Sequence, residues 1–200
     1  QAGVVAQPAV RRFLQVLKPV TVAIGDSVGE FRPFADGFRV EVNIDFANPV
    51  IGKQSYAIEL SPERFRREIS RAPTFGFLND FARLSSAAFA PGSSFENTVV
   101  FGDERLLSSE GLRHADECAR HKVLDVIGDL ALAGLPLLGA FRSVRGGHKL
   151  NHAALSALLA DRTAWRVVEG DAPRRSRVPA EAGRAIVGGM VSPAYSPDVS

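Results

Sequence analysis

The run Arg120-His121-Lys122-Val123-Leu124-Asp125-Val126-Ile127-Gly128-Asp129 sets an imidazole and two carboxylates at four-residue intervals. Four residues of α-helix advance about 400°, so His121, Asp125 and Asp129 line one slowly drifting face, while Val123, Leu124, Ile127 and Leu130 supply apolar surface. An imidazole nitrogen and a carboxylate oxygen one turn apart can reach a single divalent ion, and a donor set of nitrogen plus oxygen suits zinc. The spacing alone leaves a second reading open, a local helix contact between His121 and Asp125 without metal. Gly128 adds weight to a site, because glycine inside a helix costs about 1 kcal/mol relative to alanine and calls for a packing or close-approach reason. Arg145-Gly146-Gly147-His148 is the second candidate, since paired glycines ahead of a helix let the backbone bring a side chain or phosphate close. From its residue type alone, His148 is equally a helix-end histidine without a role.

These side chains need elements to hold them. Phe38, Val40, Val42, Ile44 and Phe46 alternate with Arg39, Glu41, Asn43 and Asp45, the period of a strand with one core face and one wet face. Residues 54–60 read as a second strand, leading into Ser61-Pro62-Glu63, an N-cap serine with proline at the first helical position, and a helix to about residue 71. Pro73-Thr74-Phe75-Gly76-Phe77 reads as a turn, followed by a short helix to about residue 87, the loop Pro91-Gly92-Ser93-Ser94 and a strand at 98–101. The longest helix spans about residues 116–133, stopped by Gly134 and Pro136, with a strand at 137–144 and a helix at about 150–160 beyond it. This β-α-α-β ordering predicts an α+β layer architecture. A strand at 20–24 ends on Gly25-Asp26-Ser27, and residues 1–18 read as tail or linker around a short amphipathic stretch at 10–17. From residue 171 onward the chain is rich in Pro, Gly, Ser, Ala and Arg without period and reads as disordered.

Composition narrows the function classes. With 200 residues, 46% hydrophobic and 23% charged, the chain can bury one ordinary core, which suggests one domain plus extensions. The net charge of +2 is made of scattered basic residues, so no nucleic-acid partner is expected. Cys118 is the sole cysteine, which rules out an internal disulfide and a cysteine-rich zinc site and fits a reducing compartment. It is expected to be a small helical residue without chemistry. No apolar run approaches the roughly 18 residues of a membrane span, and Gln1-Ala2-Gly3-Val4-Val5 lacks the charged flank of a signal peptide, so a cytoplasmic protein is expected. Without an initiator methionine, the chain is expected to derive from something longer.

Gly111-Leu112-Arg113, then Arg120-His121-Lys122 through Asp129-Leu130, then Arg145-Gly146-Gly147-His148 with Leu150-Asn151, resemble the LpxC deacetylase family in order and spacing. Leu17-Lys18-Pro19-Val20, Ile44-Asp45-Phe46, Ser55-Tyr56 and Arg71-Ala72-Pro73-Thr74-Phe75-Gly76-Phe77 resemble it too, and the resemblance covers about residues 10–165. It implies the second domain of the family fold, a two-layer β-α-α-β domain with an inserted β-α-β unit, at residues 19–168. Residues 1–18 would then be a remnant of a preceding domain and its linker, and 169–200 a disordered tail. The implied activity is hydrolytic removal of the N-acetyl group from UDP-3-O-acyl-N-acetylglucosamine in lipid A biosynthesis, with Zn2+ as cofactor. By this resemblance His121 and Asp125 are zinc ligands, and His148 stabilises developing charge and protonates the leaving amine, with Asp129 as its carboxylate partner. Thr74 is implied to contact the oxyanion, Phe75 to lie beside the sugar, and Lys122 and Arg145 to meet the substrate and its diphosphate. Phe81, Ala90, Ser94, Thr98 and Val100 fall in the inserted unit that forms the family's acyl-chain passage, and each reads equally as core.

The resemblance is incomplete in ways that matter. The family's third zinc ligand, a histidine, and its glutamate general base belong to an N-terminal domain, and neither has a counterpart here. His114 and His152 match no family motif and are expected to face solvent. Ser27 stands where many members carry lysine, and Pro91-Gly92-Ser93-Ser94 departs from the family's glycine-rich loop. Two readings follow: the C-terminal part of a deacetylase that is inactive in isolation, or a truncated, non-catalytic module.

Overall fold

The computed structural model describes Gly3 and residues 9–78 and 98–170. In chain order the strands are β1 (Arg12–Val16), β2 (Val20–Ile24), β3 (Ser27–Arg32), β4 (Phe38–Asp45), β5 (Lys53–Glu59), β6 (Thr74–Phe77), β7 (Thr98–Phe101), β8 (Leu137–Val144) and β9 (Trp165–Glu169). The helices are α1 (Pro62–Arg64), which continues as a π-helical turn at Phe65–Ile69, then α2 (Glu117–Leu130) and α3 (His148–Ala160).

The alternation in β4 works as the sequence predicts: Val40, Val42 and Ile44 are buried while Arg39, Glu41 and Asn43 stay wetter. β4 pairs antiparallel with β5, with Val42 opposite Tyr56, and parallel with β8, with Val40 opposite Phe141. β8 is the hub of the seven-stranded mixed sheet, because it also pairs antiparallel with β3 and, at its start, parallel with β1. The β2–β3 hairpin closes on two residues, Gly25 and Asp26, and glycine supplies the positive φ of 56° that such a turn requires. β6 and β7 form a separate parallel pair. A parallel pair needs a crossover rather than a tight turn, and residues 78–97 connect the two strands.

The helices cover the sheet, giving the two-layer α+β arrangement. α2 lies over β4 and β5, α3 over β2 and β3, and the two helices touch each other. Val123, Val126 and Leu130 of α2 and Ala154, Leu155 and Leu158 of α3 join Phe31 and Phe141, whose rings sit 4.6 Å apart, in one core. The expected caps are present. Ser61 Oγ accepts from Arg64 N at 3.1 Å with Pro62 next in line, and Gly134 takes the left-handed φ of 76° after α2 and its 3-10 extension.

Several elements differ from the sequence expectation. Residues 12–16, expected as linker, are an inner strand of the sheet, with β8 on one side and β9 on the other. Phe13, Leu14 and Val16 are all buried, so β1 lacks the clean alternation that advertises a half-exposed strand. Thr74–Phe77 is a strand rather than a turn, because its partner Thr98–Phe101 supplies a ladder that Gly76 and Pro73 conceal locally. β3 and β9 were not anticipated, the predicted helix after Ser61 relaxes into a π-turn, and α3 begins at His148 instead of residue 150. The expected helix to residue 87 and the loop at 91–94 lie outside the described residues.

Leu14 is 2% exposed in β1, so Leu14→Ala should lower the unfolding free energy by about 2–5 kcal/mol in urea denaturation. A change under about 0.5 kcal/mol, the size expected for a linker residue, would return this segment to a linker.

A histidine–carboxylate pair on each side of one helical turn

α2 is amphipathic because Val123, Val126 and Leu130 face the sheet while His121, Lys122, Asp125 and Asp129 face away from it or along its rim. The His121 ring is fixed from both ends. Its Nδ1 lies 3.1 Å from the carbonyl oxygen of Ala72, and a carbonyl can only accept, so Nδ1 carries the proton. In the neutral ring Nε2 is therefore bare, and it points at Asp125 Oδ1, 3.3 Å away. Two acceptors this close are stabilised by a shared proton or by a cation. Both side chains are largely covered, at 14% and 15% exposure, and the Phe75 ring packs edge-on to His121 at 6.0 Å. Lys122 Nζ donates to the other oxygen of Asp125 at 2.8 Å.

This donor set fits zinc in kind and in orientation: one bare imidazole nitrogen, backed by a carbonyl that holds its tautomer, beside one carboxylate oxygen. Among the described residues no third His, Cys, Asp or Glu joins them. Catalytic zinc sites normally use three protein ligands, so completing the set requires a donor from outside those residues.

One turn further along α2, about 6 Å of helix rise, Asp129 receives the second histidine. His148 Nδ1 donates to Asp129 Oδ2 at 2.9 Å and lies 3.1 Å from Oδ1. The carboxylate thus holds the proton at Nδ1, on a ring whose side chain is otherwise mostly exposed. Asn151, 1% exposed, donates its amide to the same Asp129 Oδ2 at 2.9 Å, and His152 Nε2 comes within 3.7 Å of Oδ1. His152 is exposed, as expected, but it borders this carboxylate. His114 is exposed too.

The turn that delivers His148 is constrained. Arg145 has φ of 50°, a left-handed conformation that is uncommon for a residue with a side chain. It is held by its own N–H donating to Asn43 O at 2.7 Å and by Ser27 Oγ donating to its carbonyl at 2.6 Å. Ser27 thus takes up the backbone of the very residue expected to meet a phosphate. A Cβ on Gly146 would collide with Ser143 Oγ and meet Leu150 Cδ2 at 2.7 Å, so this glycine answers a close approach. Gly128 does not: nothing described comes within 4 Å of a Cβ there. The arginine side chain is about half exposed, with Nη1 3.9 Å from Asp26 Oδ2.

Of the remaining candidates, Thr74 is exposed at the start of β6 beside Phe75, and Thr98 and Val100 are buried in β7. Phe81, Ala90 and Ser94 lie outside the described residues. Burial pushes the Cys118 thiol up to about 12, which keeps it protonated and unreactive, in line with the expectation for it. Asn151, Ser27 and Arg120 were missed as supporting residues. Arg120 and Asn151 fall in segments that match the family pattern, and Ser27 stands out for replacing a lysine, but none of these signals shows what the side chains hold.

A model of the LpxC family, described as UDP-3-O-acyl N-acetylglycosamine deacetylase, matches residues 1–160. The chain belongs to the LpxC family. Proteins named UDP-3-O-acyl-N-acetylglucosamine deacetylase from Brucella ovis, Brucella canis and Brucella suis are each 53% identical to it over 168 residues, 84% of this chain. The chain spans 58% of the length of those LpxC relatives. Among the described residues no helix is long and apolar enough to cross a membrane.

Beside the site, Glu68 of the π-turn accepts two bonds from Arg64, at 3.1 and 3.2 Å, and one from Tyr56 at 2.7 Å. The Arg64 bond, then the Tyr56 bond, hold its carboxyl down at about 2, against an ordinary 4.5. A lowered carboxyl stabilises the fold fully above its unfolded value and ceases to as pH falls through the folded one. The unfolding free energy of the wild type should therefore drop between pH 4.5 and about 2, and Glu68→Gln should flatten that stretch of the stability–pH curve. An unchanged acid limb in the variant would mean that Glu68 is not ionised in this network.

Proposed function

We propose that this chain is the C-terminal part of a zinc-dependent UDP-3-O-acyl-N-acetylglucosamine deacetylase that works in the cytoplasm in lipid A biosynthesis. One observation carries the reading: the Ala72 carbonyl fixes the proton on His121 Nδ1, which leaves Nε2 bare beside Asp125 Oδ1 at 3.3 Å. That arrangement serves a metal ligand better than a local helix contact, which needs no backing carbonyl. Membership of the LpxC family supports it independently.

In this reading His121 and Asp125 hold Zn2+, with a third histidine supplied by the family protein's N-terminal domain, which also supplies the glutamate general base. Bound zinc supplies a water of lowered pKa and polarises the scissile amide carbonyl. The rest is done by side chains. His148, with Nδ1 tied to Asp129, offers Nε2–H to the developing charge and then to the departing amine. Asp129 keeps that imidazole oriented through its bond from Nδ1. The exposed Thr74 hydroxyl adds a donor to the oxyanion, and Phe75, packed against His121, shields the site and borders the sugar. Lys122 and Arg145 meet the substrate and its diphosphate, and Thr98 and Val100, buried in β7, border the acyl passage. The isolated chain, which offers two ligands among its described residues, should turn over negligible substrate.

Zinc content and turnover of the protein carrying both domains test this. His121→Ala and Asp125→Ala should lose zinc and activity together, whereas His148→Ala should keep zinc and lose about 10²- to 10⁴-fold in kcat. Zinc retained by His121→Ala would overturn the ligand assignment. Turnover by the isolated chain that disappears in His148→Ala would overturn the division of labour between domains.

A further inference from the structure

Two consecutive residues of α2 grip the same short stretch of backbone. Arg120 Nη1 donates to the carbonyl of Glu68 at 3.0 Å, and His121 Nδ1 donates to the carbonyl of Ala72 at 3.1 Å. The segment between those carbonyls leaves a π-helical turn, in which Ser70 N bonds Phe65 O, and anchors itself through Ile69, which is fully buried. The i→i+5 repeat of the turn stops at Ser70, so it does not set where the Ala72 carbonyl points. Something outside it must do so.

Arg120 is built for that task. Its side chain is 15% exposed, and its guanidinium lies 4.2 Å above the Tyr56 ring, donates from Nε to Asp116 at 2.7 Å, and donates from Nη1 to the Tyr56 hydroxyl at 3.1 Å as well as to the Glu68 carbonyl. Tyr56 in turn donates to the Glu68 carboxylate, which Arg64 holds with two bonds. β5, the π-turn and α2 are thus joined at one rigid planar group, a geometry that lysine could not reproduce.

We infer that Arg120 is a positioning residue for the metal site: by fixing the 68–72 backbone against α2 it aims the Ala72 carbonyl at His121 Nδ1, and so presents Nε2 beside Asp125. This rests on the reading of His121 as a zinc ligand. Without the clamp, the Ala72 carbonyl drifts, the ring is free to change tautomer or rotamer, and the metal loses an oriented donor. Outer partners of metal-bound histidines typically contribute about 10- to 100-fold in affinity.

The test is zinc affinity of the protein, with zinc alone as probe, by competition with a chromophoric chelator. Arg120→Met should weaken zinc by about tenfold or more. Tyr56→Phe, which keeps the ring and removes only the hydroxyl joint, should weaken it less and protects the test if Arg120→Met folds poorly. Thermal midpoints are recorded alongside, because a purely structural tie would lower them without moving zinc affinity in the folded protein. Affinities within about twofold of wild type in both variants would overturn the inference while His121→Ala, by losing zinc, upheld the site. Zinc retained by His121→Ala would overturn both.

Discussion

The hydrogen bond from His121 Nδ1 to the Ala72 carbonyl is the constraint around which this site is organised. An imidazole has two nitrogens and, when neutral, one proton. Whichever nitrogen is committed to a carbonyl decides what the other can do. Here the backbone after the π-turn accepts the Nδ1–H bond and keeps the proton on that nitrogen, and Nε2 is left facing Asp125. Every larger feature serves that choice: β4 and β5 seat α2, the π-turn delivers the carbonyl, and Phe75 covers one side of the ring.

The same logic runs in the opposite sense one turn along the helix. At Asp129 the acceptor of the Nδ1 proton is a carboxylate rather than a carbonyl. The Asp129 carboxylate carries charge and offers two oxygens to the ring, whereas the Ala72 carbonyl offers one neutral oxygen. Two histidines of identical chemistry are thereby set against different oxygens, a carbonyl and a carboxylate. Asn151 adds to the distinction by donating to Asp129 from a buried position, which holds that carboxylate in place.

Much of this was legible in the chain. The period-two run of β4, the Ser61 cap with Pro62 that starts α1, and the glycine that ends α2 and its 3-10 extension are local signals that mark what they predict, although α1 gives way to a π-turn after Arg64. The spacing of His121, Asp125 and Asp129 correctly put three polar groups on one helix stripe, and Arg145 through His148 correctly announced a tight backbone approach. What escaped depends on distant partners. β1 is buried throughout and so carries no alternation, and β6 is a strand only because β7 pairs with it. Ser27 reaches Arg145 across 118 residues of sequence, and Arg120 reaches Tyr56 across 64. Gly128 failed differently: its cost inside a helix was real, but no described atom approaches it.

Nitrogen-15 NMR of the imidazole side chains, at a pH where His121 is neutral and before zinc is added, reads the central claim directly. The account predicts that His121 is almost wholly the Nδ1–H tautomer, with an unprotonated Nε2 whose resonance moves when zinc binds. An Nε2–H tautomer, or an Nε2 signal indifferent to zinc, would contradict it.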